Sequence, residues 1–168
     1  MLTSTSSPTN ASDRAALDIL LVEDEPDILE SLEEVLADRG HRVTAVADGA
    51  EAMGWLDSRS FDVAICDIRL PKVDGMQIFH RIRRESPNSQ VILMSAYGSV
   101  AEAVEAMKEK ATHYLAKPFS LEVLLELVER VEQEQGLRRQ LDAARRSEED
   151  TDLVLASRAR RARAAPRG

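Results

Sequence analysis

The sequence predicts an α/β protein, a doubly wound sheet of five parallel strands with helices on both faces. Three observations predict it. Short apolar runs alternate with segments of helical period five times between residues 18 and 131. Most of the runs are apolar throughout rather than alternating, as strands buried on both faces are. Each is followed by charged or turn-forming residues that end it. Parallel strands joined this way need right-handed crossovers.

Taken in order, residues 18–22, Asp-Ile-Leu-Leu-Val, form the first strand, followed at once by Glu23-Asp24-Glu25-Pro26. Pro26 suits the first turn of a helix. That helix reaches about residue 39, with Ile28, Leu32, Val35 and Leu36 on one face and Gly40 as its stop. Residues 42–46 are the second strand. Asp48-Gly49 turns into a helix over 50–58 that carries Met53, Trp55 and Leu56. Residues 63–66, Val-Ala-Ile-Cys, are the third strand, which places Asp67 at its C-terminal end before Pro71 and Asp74-Gly75. A helix over 75–85 turns Ile78, Phe79 and Ile82 inward and breaks at Ser86-Pro87-Asn88. Residues 91–94 form the fourth strand, ending at Ser95-Ala96. A helix over 100–109 follows, with Val104 and Met107 on one side. Residues 112–116 are a short fifth strand, and Lys117-Pro118-Phe119 leads to Ser120, a good N-cap. The fifth helix carries Leu121, Leu124, Leu125, Val128 and Val131. A thin stripe of Leu137, Leu141 and Ala144 extends it to about residue 146. Lys110 falls where a helix should end; a left-handed backbone there costs a lysine about 1 kcal/mol.

Composition bounds the organisation. At 168 residues, 43% hydrophobic and 31% charged, the chain suits one domain with tails. Residues 1–16, rich in Ser and Thr with no apolar stretch, read as a disordered leader. Residues 17–132 are the domain, 133–152 a helical extension or linker, and 153–168 a basic disordered tail. The chain up to residue 146 carries −9, residues 147–157 carry −4 and residues 158–168 carry +5. The net charge of −8 disfavours DNA as a partner. No apolar stretch approaches the roughly 20 residues that span a bilayer. Cys66 is the single cysteine, so no disulfide framework forms within one chain. That fits a reducing, cytoplasmic setting. In an apolar strand Cys66 reads as core rather than nucleophile.

A doubly wound fold gathers its C-terminal strand ends on one edge, where ligands bind. Those ends are Glu23 and Asp24, Asp67, Ser95 and Lys117. Each alone reads as a solvated loop residue. Together, three carboxylates repel unless a cation sits among them. Mg²⁺ suits carboxylates, waters and phosphate oxygens. A lysine and a hydroxyl beside it offer donors to an anion, so the edge reads as a site for Mg²⁺ and a phosphoryl group.

Glu23-Asp24, the run from Asp67 to Gly75, Ser95-Ala96 and Lys117-Pro118-Phe119 resemble the motifs of a two-component response-regulator receiver domain. The resemblance covers about residues 17–131. It implies a flavodoxin-like strand order 2-1-3-4-5 and a phosphoacceptor that promotes its own phosphorylation and dephosphorylation, not an enzyme in the ordinary sense. It implies that Asp67 is the phosphoacceptor, charged by a sensor histidine kinase or phosphotransfer protein. Asp24 is then the direct Mg²⁺ ligand and Glu23 a ligand through water, joined by Asp67 and the backbone carbonyl of Arg69. Ser95 and Lys117 hold phosphoryl oxygens, the Lys117–Pro118 bond is cis, and Ser95 with Tyr114 forms the switch. Switching reshapes the face of the fourth helix, fifth strand and fifth helix for a downstream partner. Arg69 and Tyr97 occupy positions expected to tune dephosphorylation. Glu23 stands where many members have Asp, Ser95 where Thr is commoner, and Lys110 where Gly is usual.

The stretches 95–108 and 114–119 resemble receivers of nitrogen-regulator-type transcription activators. Those continue into an ATPase and a DNA-binding domain, whereas residues 153–168 are rich in arginine and alanine. The expectation is a receiver cut from, or degenerated from, such a parent. Its output is either protein contact or phosphate relay, or transcriptional control through a homodimer on the extended fifth helix or DNA contact by the tail.

Overall fold

The computed structural model describes residues 15–96, 100–109 and 113–164. Tyr97, Lys110 and most of the expected leader lie outside them. The element order is β1(Asp18–Val22), α1(Pro26–Asp38), β2(Arg42–Val46), α2(Gly49–Ser58), β3(Val63–Asp67), α3(Gly75–Glu85), β4(Gln90–Ser95), α4(Val100–Lys108), β5(His113–Ala116) and α5(Leu121–Ala164). The five strands form one parallel sheet in the order β2-β1-β3-β4-β5. Reversal of direction at β1 and β3 opens a crevice beyond their C-terminal ends.

Each strand feeds two cores because successive side chains alternate faces. Leu20, Val22, Ala64, Cys66 and Leu93 pack on one side with Ile78, Phe79 and Ile82 of α3, Ala52 of α2 and Ala106 of α4. Ile19, Leu21, Ile65, Ile92 and Met94 pack on the other with Leu32 and Leu36 of α1 and Leu124, Val128 and Val131 of α5. Double-sided burial is why the runs read as unbroken apolar stretches.

Two helices pack partly through residues that apolar periodicity does not single out, although Met53 and Leu56 of α2 do pack against the core. In α2, Trp55 is 39% exposed and Ala52 is fully buried. In α4, Val104 and Met107 are 45% and 54% exposed, and Ala106 faces the core. Small residues let these helices lie close to the sheet, and a reading weighted toward large side chains overlooks them.

α5 runs to Ala164, past the residue 146 expected as its end and through residues 153–164 of the expected tail. Between Gly136 and Pro166 the sequence has no glycine or proline, and alanine, leucine and arginine favour helix. Gly136 itself lies within the helix, with nothing near where a Cβ would stand. The chain divides into two compact units, Met1–Glu132 and Gln133–Gly168, and the described structure of the second is α5 alone.

Candidate functional site

Strand register aligns the site. Val22 pairs with Cys66, Asp67 with Met94, and Ser95 with Ala116, so the residues that follow or end these strands share one edge.

Asp67 ends β3 with its residue 4% exposed. Its Oδ1 accepts the Arg69 backbone N–H at 2.9 Å and its Oδ2 accepts Lys117 Nζ at 2.7 Å. The loop behind it is held by three features. Ile68 N–H donates to the Met94 carbonyl at 2.8 Å, and Gly75 N–H to the Ile68 carbonyl at 2.9 Å. Asp74 caps α3, accepting from Gln77 N–H at 2.9 Å while the Gln77 side chain accepts from Asp74 N–H at 3.0 Å. Gly75 then lets α3 start against β3, since a Cβ there would stand 2.3 Å from the Asp67 carbonyl oxygen. Lys72 takes a left-handed φ of 67°, with its ammonium 3.3 Å from Asp48.

Glu23 is fully buried and Asp24 is exposed. Glu23 Oε1 accepts the Glu25 N–H at 3.1 Å, and Oε2 accepts Lys117 Nζ at 2.5 Å. Lys117 thus bridges two carboxylates. Oxygens of Glu23, Asp24 and Asp67 lie within 4.8 Å of one another. That is a hard, all-oxygen donor set of a kind that fits Mg²⁺. Arg69 is exposed and follows Asp67 by two positions.

Electrostatics agree with crowding. Burial pushes the Glu23 carboxyl above the usual range, against the pull of Lys117 and the Glu25 N–H. Burial also opposes the Lys117 ammonium, but hydrogen bonds to Asp67 and Glu23 outweigh it and its pKa ends raised. Three carboxylates against one ammonium leave excess negative charge for a cation to answer. Cys66, one residue before Asp67, is pushed by burial to about 12 and takes no part.

Ser95 Oγ is buried and lacks a hydrogen-bond partner among the described residues. The Ser95 carbonyl accepts the Lys117 N–H at 2.7 Å, fastening β4 to the connection beyond β5. The Lys117–Pro118 bond is cis. Ser120 reaches the Val123 N–H only at 3.4 Å, a weak cap for α5. Tyr114 packs half-buried against the α2–α3 side of the core, its hydroxyl also buried and without a partner among the described residues. The structure therefore brings Glu23, Asp24, Asp67 and Lys117 together and places Ser95 at the adjoining strand end.

Sequence reasoning missed the Glu25 N–H that holds Glu23 and the steric role of Gly75. The second had a signal. Asp48-Gly49 and Asp74-Gly75 both start helices, and a Cβ at Gly49 would meet the Val73 carbonyl oxygen. Both glycines serve close approach.

A groove of about 620 Å³ opens beside Lys117, lined in part by Ile28 and Leu32 of α1 and by Pro118 and Phe119. No helix among the described residues is long and apolar enough to cross a membrane.

Residues 19–129 match the response regulator receiver domain. Response regulator protein FleR of Pseudomonas aeruginosa is 42% identical over 115 residues, 68% of this chain and 24% of that one. C4-dicarboxylate transport transcriptional regulatory protein DctD of Rhizobium meliloti is 30% identical over 135 residues, 80% of this chain and 29% of that one. The chain thus spans about a quarter of the length of these relatives. The crystal structure of NtrX from Brucella abortus in complex with ATP superposes with a TM-score of 0.69 at 29% identity, covering 76% of this chain and 29% of that one. The strand order, the acidic edge and these similarities agree, and the chain belongs to the response-regulator receiver family of two-component systems, in the pattern of its nitrogen-regulator-type members.

Proposed function

We propose that Asp67 accepts a phosphoryl group from a phosphohistidine on a sensor histidine kinase or phosphotransfer protein. The observation that carries this is Lys117 Nζ, 2.7 Å from Asp67 Oδ2, at the centre of a buried acidic edge. An Asp67 oxygen attacks phosphorus, the P–N bond breaks, and its electron pair leaves on the imidazole. The product is an acyl phosphate, which water later cleaves to regenerate the carboxylate.

Glu23, Asp24 and Asp67, with the Arg69 carbonyl, would hold Mg²⁺, whose charge would offset carboxylate repulsion and developing charge on the phosphoryl oxygens. Lys117 hydrogen-bonds Asp67 before transfer and pairs with a phosphoryl oxygen afterwards. Ser95, whose hydroxyl lacks a partner among the described residues, donates it to another phosphoryl oxygen. Movement of Ser95 lets Tyr114 change its packing, which alters the α4–β5–α5 face for a downstream partner. Exposed Val104 and Met107 on α4 give such a partner apolar contact. The groove beside Lys117, apolar along α1 and rimmed by Glu25 and Asp27, suits the helix that presents the histidine. The reaction places the protein in the cytoplasm with its kinase.

Labelling with acetyl phosphate and Mg²⁺ tests the reading. Wild type gains an acid-stable, base-labile phosphate and Asp67→Asn does not; equal labelling of the two overturns it. A second reading, transcriptional control through pairing of the C-terminal helix, is favoured by the continuation of α5 to Ala164.

A further inference from the structure

The connection from β3 to α3 turns on a residue that resists the turn. Val73 N–H donates to the Pro71 carbonyl at 2.8 Å, which closes a γ-turn about Lys72. Lys72 holds φ at 67°, and among the described residues it alone, glycine aside, has a positive φ. A γ-turn with positive φ at its centre is the rare, strained form, and glycine is the residue that adopts it freely.

The start of α2 holds the lysine there. Asp48, the N-cap of α2, divides its carboxylate: Oδ1 accepts the Glu51 N–H at 2.8 Å and Oδ2 accepts Lys72 Nζ at 3.3 Å. The Glu51 N–H and then Lys72 hold that carboxyl below the usual aspartate range. Next to Lys72, Val73 lies so close to α2 that a Cβ on Gly49 would overlap its carbonyl. A tether and a contact without clearance thus fasten two consecutive loop residues to one helix end. An exposed ion pair contributes too little by itself to account for a strained residue. Strain kept beside a site points to a requirement of the site.

That requirement lies three residues earlier. The Arg69 N–H donates to Asp67 Oδ1 at 2.9 Å, and the Arg69 carbonyl is among the groups assigned above to Mg²⁺. Leu70 and Val73 pack against the core. With Lys72 tethered as well, little freedom remains for the peptides that orient this carbonyl.

We propose that Asp48 and Lys72 are positioning residues: their ion pair latches the β3–α3 loop to the start of α2 and so fixes the Arg69 peptide beside Asp67. What the latch serves rests on the phosphoacceptor reading; the latch itself does not.

The test compares the full chain as wild type, Lys72→Gly, Lys72→Arg, Asp48→Asn and the double variant Asp48→Asn with Lys72→Gly. Glycine relieves the left-handed strain and asparagine still caps α2, so neither change should lower the urea midpoint. Deuterium exchange at the Arg69 amide, followed by NMR without metal, should quicken about fivefold in each single variant that breaks the pair, the reach of an exposed ion pair. Magnesium chloride titrated by calorimetry should show a dissociation constant raised by a similar factor. Lys72→Arg keeps the charge and should keep wild-type values. The double variant should match the single ones, because all three lose the same contact. Acetyl phosphate labelling should slow at limiting Mg²⁺ and recover at saturating Mg²⁺. Wild-type exchange and affinity in Lys72→Gly, equal losses in Lys72→Arg, or multiplied losses in the double variant overturn the latch. Equal labelling of wild type and Asp67→Asn overturns the acceptor reading instead, and the exchange measurement then still judges the latch.

Discussion

Gly75→Ala is the sharpest probe of how the site is held. Its Cβ would lie 2.3 Å from the Asp67 carbonyl oxygen, 2.8 Å from Ile68 Cα and 2.9 Å from the Asp67 carbonyl carbon. All three are backbone atoms, so no side chain can swing aside. Ordinary contact needs roughly 3.4 Å, so α3 and the end of β3 must part by about 1 Å. Overpacking of this kind costs about 1–3 kcal/mol. With a urea slope of about 1–3 kcal/mol/M, that lowers the unfolding midpoint by roughly 1 M. A 1 Å displacement of a reacting group costs on the order of 100-fold in rate, so labelling by acetyl phosphate should fall steeply in the folded variant. Gly54→Ala is the control. It sits in α2 with nothing within 4 Å of its would-be Cβ, so it should stabilise by about 0.5–1 kcal/mol and leave labelling unchanged. Gly75→Ala with wild-type stability and wild-type labelling would refute the steric reasoning.

Three further outcomes follow from the same geometry. Ser95→Ala removes a buried hydroxyl without a partner among the described residues, so it should raise stability by about 1–3 kcal/mol in urea melts while abolishing the phosphorylation-dependent change in Tyr114 fluorescence. His41 is half-buried, its Nδ1 accepts the Leu17 N–H at 3.2 Å, and burial holds its pKa below the ordinary 6.5. The unfolded chain therefore takes a proton that the folded chain refuses, and stability falls as pH drops below about 6.5. Glu23, with its pKa raised, contributes the opposite slope at lower pH, so the midpoint difference between wild type and His41→Asn, followed across pH 5–8, isolates the histidine. Mg²⁺ at ten times its dissociation constant should stabilise the domain by about 1.4 kcal/mol in thermal melts, chelator should reverse this, and Asp24→Asn should shift the required concentration upward.

The sheet was legible because its strands are buried twice over, which writes them as unbroken apolar runs, and because each ends in a breaker. The candidate site was legible for a related reason. A carboxylate, hydroxyl or ammonium immediately after such a run has only one edge of the sheet to occupy. Helix faces were less legible where alanine does the packing. Ala52 and Ala106 carry little hydrophobic signal, while Trp55, Val104 and Met107 carry much and point outward. The length of α5 was missed because its composition says solvated rather than packed, and solvated arginine-alanine sequence reads as tail although its intrinsic preference is helical. Backbone donors such as the Glu25 N–H are invisible to any reading of side chains.

With Asp67 as the proposed acceptor, the hydroxyl of Ser95 would also limit how far phosphorylation alone can tip this molecule. A donor without a partner that gains one contributes about 1–3 kcal/mol. In equilibrium terms that is a factor of roughly 5 to 150, against about 5.5 kcal/mol needed to carry two conformations from 1:99 to 99:1. One hydrogen bond therefore inverts only a balance already within about tenfold of even. Either the resting ensemble of this domain already visits the signalling conformation about a tenth of the time, or Lys117, released from Glu23 toward the phosphoryl group, supplies the remainder. Relaxation-dispersion NMR of the unphosphorylated protein separates these by the minor population it finds.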